Sequence, residues 1–203
     1  YLSWDISDGN GAAIIYYTIT SNLGTSATTA GNSFTVTGLE NGMFYSFTLT
    51  ATSNVGTSPS SVATGNVAPA TTPNAPTNVS SVVGNEGAIV SWDASSSDGG
   101  SSILHYTVTS TPGSITATTT QTTLSVPGLT NGVAYTFKVS ATNSVGTGPV
   151  SAASNPVTPA ALPDAPTGII VTSGDEQVYL SWDISDGNGA AIIYYTITSN
   201  LGT

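Results

Sequence analysis

Apolar and polar residues alternate along several short stretches of this 203-residue chain. In "AIVSWD", Ala88, Val90 and Trp92 alternate with Ile89, Ser91 and Asp93. A period of two marks a half-buried strand, here with Trp92 inward. "ILHYTVTS" follows, with Leu104, Tyr106 and Val108 read as inward. "TLSVPGL" places Leu124 and Val126 inward. "AYTFKVSATN" places Tyr135, Phe137, Val139 and Ala141 inward and Lys138 outward. Turns rich in Gly and Pro separate these stretches, and no 3.6-residue apolar period occurs. The pattern predicts an all-β sandwich.

The pattern also repeats. The tryptophans fall at Trp4, Trp92 and Trp182, spacings of 88 and 90 residues. "TVTGLENGMFYSFTLTATSNVGTSP" at Thr35–Pro59 matches "SVPGLTNGVAYTFKVSATNSVGTGP" at Ser125–Pro149, and the linker at Val67–Val79 matches that at Val157–Ile169. The unit is a domain of about ninety residues, as expected of a small sandwich. Two versions alternate, a Trp4 type and a Trp92 type. Residues 1–72 read as a domain lacking its first strand, 73–162 as a complete domain, and 163–203 as the N-terminal part of another Trp4-type domain.

Tyr1–Thr25 and Tyr179–Thr203 are identical over 25 residues. Both copies are expected to form the same strands of one domain type, as in a window on a tandem array of near-identical two-domain units. The rival expectation is strand donation between neighbouring chains.

Composition narrows the function. One lysine, no arginine and eleven acidic residues give a formal charge of −10. Such a chain cannot neutralise a row of phosphates, so nucleic-acid binding is not expected. It has no polybasic patch for anionic lipid. The absence of cysteine excludes disulfides and thiolate metal sites. No apolar run approaches the roughly 18 residues that span a membrane as a helix.

The combined pattern resembles fibronectin type III modules of the bacterial or archaeal surface-protein kind. The matching residues are Trp92 on the second strand, Asp98-Gly99-Gly100 before the third, and Tyr106 on it. Leu129, six residues before Tyr135, resembles a tyrosine corner, and "SATNSVGTGPVS" resembles the sixth strand and its turn into the seventh. Trp4, Tyr17, Leu39, Tyr45 and "TATSNVGTSP" repeat the set. The resemblance implies tandem seven-stranded immunoglobulin-like sandwiches, used for spacing or adhesion. It implies no chemistry.

The candidate chemical residues are few. His105 is the single imidazole and precedes inward Tyr106, so it reads as a surface residue. Gly9 and Gly11 lie in "GNGAAI", which lacks the third glycine and the helix of a phosphate loop. The pairs Asp5/Asp8, Asp93/Asp98 and Asp183/Asp186, with Asp164 nearby, offer oxygen ligands for a weak calcium site or simple turn chemistry. Asn78-Val79-Ser80 has the form of an N-glycosylation sequon. Lys138, facing outward, is poorly placed for an isopeptide cross-link. No catalytic, cofactor or metal residue is assigned, and no enzyme activity is expected.

Each linker carries three prolines: Pro69, Pro73 and Pro76, then Pro159, Pro163 and Pro166. Such linkers are semi-rigid and extended. A domain with its linker is expected to advance about 35 Å. The leading expectation is a structural repeat of a long extracellular or cell-surface array, the shaft of a filament or adhesin. The alternatives are a module binding glycan or a partner protein, and a spacer between enzyme domains. Expected partners are other copies of the chain, end to end. Lateral bundling is expected through an outward patch of Ile14, Tyr16 and Phe44, with Met43 adjacent, where the Trp92 type has His105, Ala134 and Lys138.

Overall fold

The computed structural model describes residues 1–200. Residues 201–203 of the duplicated stretch lie outside the described residues. The chain divides into two compact units. One comprises residues 1–72, 97–102 and 144–146, and the other residues 73–96, 103–143 and 147–203.

The first unit contains β1 (Leu2–Ser3), β2 (Ile14–Ser21), β3 (Ser26–Thr29), β4 (Ser33–Phe34) and β5 (Phe47–Ser53). β1 pairs with β4, and β2 lies between β3 and β5, all antiparallel. Ile19, Tyr45 and Phe47 are buried between the sheets, with Leu2, Trp4, Phe34, Val36, Leu39 and Leu49 packed on them.

The second unit contains β6 (Thr77–Val83), β7 (Gly87–Asp93), β8 (His105–Thr111), β9 (Thr116–Thr119), β10 (Thr123–Pro127) and β11 (Thr136–Thr142). β12 (Ile170–Gly174) and β13 (Gln177–Ser181) follow. One sheet runs β10-β7-β6 and the other β11-β8-β9. Ala88, Val90, Trp92, Tyr106, Val108, Val126, Tyr135, Phe137, Val139 and Ala141 fill the space between them, as the alternation predicts. The Trp92 indole meets the Tyr106 ring edge-on at 5.5 Å. That geometry aligns the positive edge of one ring with the negative face of the other.

The tyrosine corner is present in both domain types. The Tyr135 hydroxyl accepts from the Thr130 N–H at 3.1 Å, and that of Tyr45 from the Glu40 N–H at 3.0 Å. Tyr135→Phe is expected to lower stability by about 1 kcal/mol, because the Thr130 N–H loses its partner. Urea unfolding of the two chains measures this; an unchanged midpoint contradicts it.

Two positions depart from the alternation. Leu104 is 57% exposed, and Ile103 packs on the core instead. Ile14 is half-buried, while Ile15 is 54% exposed. The register of β2 against β5 shifts between Ile14 and Tyr16. A bulge sets two residues against one, so counting back by twos from Tyr17 fails there. β8 likewise begins only at His105, so Leu104 lies outside its ladder.

The seventh edge of each sandwich departs from a regular strand. Gly148, Ser151, Ser154 and Val157 each donate a backbone N–H to Ala141, Val139, Phe137 and Tyr135 in turn, at 2.9 Å each. The segment thus advances three residues for every two of β11. Serine hydroxyls return the missing bonds. Ser154 Oγ accepts from the Phe137 N–H at 3.0 Å, and Ser151 Oγ from the Val139 N–H at 2.9 Å. Ser58, Ser61 and Thr64 do the same for Ala51, Leu49 and Phe47. A side-chain oxygen here stands in for a carbonyl that the stretched register carries out of reach.

The two copies of the duplicated stretch share their ring packing and loop but not all the expected strands: residues 14–21 form β2 between β3 and β5, whereas among the described residues no segment pairs with 192–199, which form no strand. Trp4 meets Tyr17 at 5.4 Å, and Trp182 meets Tyr195 at 5.3 Å. Tyr17 Oη accepts from the Ser7 N–H at 3.0 Å, and Tyr195 Oη from the Ser185 N–H at 3.1 Å. β1 pairs on one edge with β4 and β13 on the other edge with β12. β7 of the Trp92 type pairs on both sides at once.

Candidate functional site

The candidate chemical residues do not converge. His105 is half-buried and lies opposite Thr142 in the ladder. Lys138 is exposed opposite Thr109. Among the described residues no three His, Cys, Asp or Glu side chains gather in a metal-binding group. Three of the aspartates close turns. Asp8 Oδ1 accepts from the Asn10 N–H at 2.9 Å, Asp98 Oδ1 from Gly100 at 2.9 Å and Asp186 Oδ1 from Asn188 at 2.8 Å. Each is an Asx turn that fixes the loop before the third strand. Gly9 O accepts from the Ala12 N–H at 3.0 Å, closing that loop as a turn.

An apolar cleft of about 520 Å³ is lined by Leu180, Trp182, Ile192 and Tyr195. Their equivalents Val90, Trp92, Ile103 and Tyr106 form or pack on the core of residues 73–162. The cleft is therefore the side of β13 and of residues 192–198 that corresponds to the core of the Trp92 type, with Asp164 and Ser185 also on its lining.

The loop fixed by the Asx turn is the feature built most specifically, because it forms a joint. In the second unit, Ala161 N–H donates to Asn188 O at 2.9 Å, and Asp164 N–H to Asp186 O at 2.9 Å. Asn188 Nδ2 donates to Leu162 O at 2.9 Å and to Asp164 Oδ1 at 3.0 Å. Gly132 N–H donates to Pro159 O at 2.9 Å. The two turns meet at Gly132 and Gly189, where a Cβ on Gly189 would lie 2.5 Å from Gly132 N and 2.7 Å from Pro159 O. Only glycine permits this approach, and Gly189 also has φ +94°. Within the first unit the same bonds recur: Gly42 N–H to Pro69 O at 2.9 Å, and Thr71 N–H to Gly99 O at 2.9 Å. The sequence showed the prolines and the Asp-Gly turns. It did not show that they bond to one another.

The outward apolar residues of the Trp4 type separate in space. Tyr16 is 38% exposed and Phe44 64%. Tyr16 pairs with Thr52, whereas Asn22 Nδ2 donates to Phe44 O at 3.3 Å. Phe44 thus sits six residues along from Tyr16, about 20 Å at the usual strand rise. Ile15 accompanies Tyr16, Met43 adjoins Phe44, and Ile14 is half-buried.

Paired antiparallel sheets, a tyrosine corner and loops joined through proline linkers define tandem immunoglobulin-like sandwich modules. The fibronectin type III domain model matches residues 1–66 and 74–157. The chain belongs to that family. It is 29% identical over 210 residues to a Kelch domain-containing protein of Saccharolobus solfataricus, covering 98% of this chain and 27% of that protein. It is 37% identical over 123 residues to Endoglucanase B of Cellulomonas fimi, covering 58% of this chain and 11% of that protein. The chain thus spans about a quarter and a tenth of the length of these relatives. A crystal structure of consecutive titin domains matches with a TM-score of 0.50 and 22% identity, covering 70% of this chain and 53% of that one, which shows the fold alone.

Proposed function

We propose that this chain is a structural repeat of a long extracellular array, serving as the shaft of a filament or surface adhesin. The observation that carries this reading is the joint. The same backbone bonds between linker, Asn-Gly or Glu-Asn-Gly turn and Asx-turn loop are built at two places, on two different domain types. A joint that consumes backbone donors and excludes side chains suits spacing, since it leaves little freedom between neighbours. Near-identical repeats favour length over recognition.

In this reading the partners are other copies of the chain. They follow end to end, and they bundle laterally through the Trp4-type domain, with Tyr16 and Phe44 as two separate anchor points. Each anchor alone is weak, and many in register act as one multivalent surface. Electron micrographs of the native material test both parts. Beaded threads of uniform repeat are expected, gathered side by side into fibres. Globular particles overturn the array, and threads that remain single at high concentration overturn the bundling.

A second reading is favoured by the similarity to Endoglucanase B, a named enzyme of which this chain matches a tenth. In that reading the modules of this chain act as a spacer beside a catalytic domain. Mass spectrometry of the intact native polypeptide separates the two, since the spacer reading requires peptides of a catalytic domain in the same chain.

A further inference from the structure

We propose that Asn78 is an acceptor for N-linked glycan, so that the array carries carbohydrate on every Trp92-type domain and none at the same place on the Trp4 type. The inference rests on the extracellular reading above.

Asn78-Val79-Ser80 is the single Asn-x-Ser/Thr triplet in the sequence. Its geometry suits modification. β6 is an edge strand of its sheet, and its register against β7 shifts between Thr77 and Ser80. The bulge lifts Asn78 out of the ladder with φ +52°. Asn78 and Ser80 are both exposed, while Val79 between them packs on the core and anchors the segment. An Asn side chain displayed in this way is accessible to a large oligosaccharide without disturbing the sandwich.

Left-handed backbone accounts for Asn or Gly at position 78 but not for Ser80 two residues on. In the Trp4 type the equivalent of Asn78 is Gly168, with φ +61°. Glycine is the default residue for that conformation. The equivalent of Ser80 there is Ile170. Both polar members of the triplet are therefore present in one domain type and both are absent from the other.

The chemistry is a glycosyl transfer from a lipid-linked oligosaccharide. Asn78 Nδ2 attacks the anomeric carbon, forming a C–N bond. The bond from that carbon to the lipid phosphate oxygen breaks, the lipid phosphate leaves with the bonding pair, and the amide gives up one proton. The modified amide keeps one N–H. That hydrogen is enough to preserve the bond that Asn78 Nδ2 now makes to Asp93 Oδ2 at 2.7 Å, so the glycan stem would stay oriented by the strand beside it.

The test uses protein purified from its native source, unfolded and cut by a Glu-specific protease. Cleavage after Glu40, Glu86 and Glu176 yields fragments 41–86 and 87–176. Fragment 41–86 is expected to exceed its polypeptide mass by one oligosaccharide, placed on Asn78. Fragment 87–176, which holds Gly168, is the internal control with no N-linked mass. In the native host, Ser80→Ala is expected to abolish the added mass and Ser80→Thr to retain it. Fragment 41–86 at its bare polypeptide mass overturns the inference, as does added mass that persists in Ser80→Ala. Immunogold labelling of intact cells keeps the two failures apart. Surface label with an unmodified fragment rejects the glycan alone, and label confined to opened cells rejects the extracellular reading as well.

Discussion

Replacing Ser151 and Ser154 together by alanine is expected to destabilise the sandwich of residues 73–162 by about 2–6 kcal/mol, at roughly 1–3 kcal/mol for each buried donor left unpaired. Ser154 Oγ accepts from the N–H of Phe137, and Ser151 Oγ from that of Val139. Both acceptor serines are buried, and Phe137 and Val139 are fully enclosed. Water therefore cannot take the place of the lost oxygens without opening the edge. Ser154 also lies 3.2 Å from Ser81 Oγ, whose hydroxyl donates to Asn155 O at 2.8 Å. The loss thus reaches β6 as well as β11. Ser102→Ala, at an exposed position, is the control and is expected within about 0.5 kcal/mol of the parent. Native-state hydrogen exchange at Val108 and Phe137 measures the opening free energy directly. A loss below about 0.5 kcal/mol in the double variant would show that the hydroxyls are incidental.

Gly189→Val is expected to undo the joint in the second unit, and the chain supplies its own control. Gly24, in the turn between β2 and β3, has φ +87° against +94° at Gly189. Valine is strained at both, at a cost of about 1–3 kcal/mol for a left-handed non-glycine residue. The surroundings differ. A Cβ on Gly24 meets nothing within 4 Å, whereas one on Gly189 meets backbone atoms of Gly132, Pro159 and Asn131 between 2.5 and 2.9 Å. Backbone cannot rotate aside as a side chain can, so the turn and linker must separate. The Ala161 and Asp164 N–H groups, which donate across the joint, are expected to exchange at least about tenfold faster in Gly189→Val. That factor corresponds to about 1.4 kcal/mol, within the worth of one or two backbone hydrogen bonds. In Gly24→Val both rates should stay at the parent value. Equal acceleration in the two variants would mean that left-handed strain, and not contact, controls the exchange.

The joint bears on function through entropy. Fixing a residue's backbone costs about 1–2 kcal/mol, and a proline linker has less freedom to lose than a Gly-rich one. The linkers at Pro69–Pro76 and Pro159–Pro166 therefore enter their hydrogen bonds partly ordered. Under the proposed function this ordering suits a spacer better than a hinge.

The inward residues were legible wherever a strand keeps strict alternation. Val90, Trp92, Tyr106, Val108, Phe137 and Val139 follow from a period of two, since successive side chains on a strand must point to opposite faces. The corner at Tyr135 was legible from Leu129 six residues earlier, because it is a short-range bond within one turn. Leu104 and Ile14 were misread because a bulge and a late strand start break the count, and both depend on the partner strand. Ser151 and Ser154 carried a faint signal in their three-residue spacing, repeated by Ser58, Ser61 and Thr64. Among Gly, Pro and Ser that spacing reads as an ordinary loop.

The sequence by itself determined the sandwich, its repeat and its turns, because these rest on side-chain alternation and on bonds a few residues long. Only the tertiary structure decided which turns meet. Gly132 and Gly189 are far apart in sequence, yet a Cβ on Gly189 would lie 2.5 Å from Gly132 N. Asn188 likewise reaches from its Asx turn to Leu162 and Asp164. A close approach of backbone to backbone depends on residues tens of positions away, and no local string of letters encodes that distance.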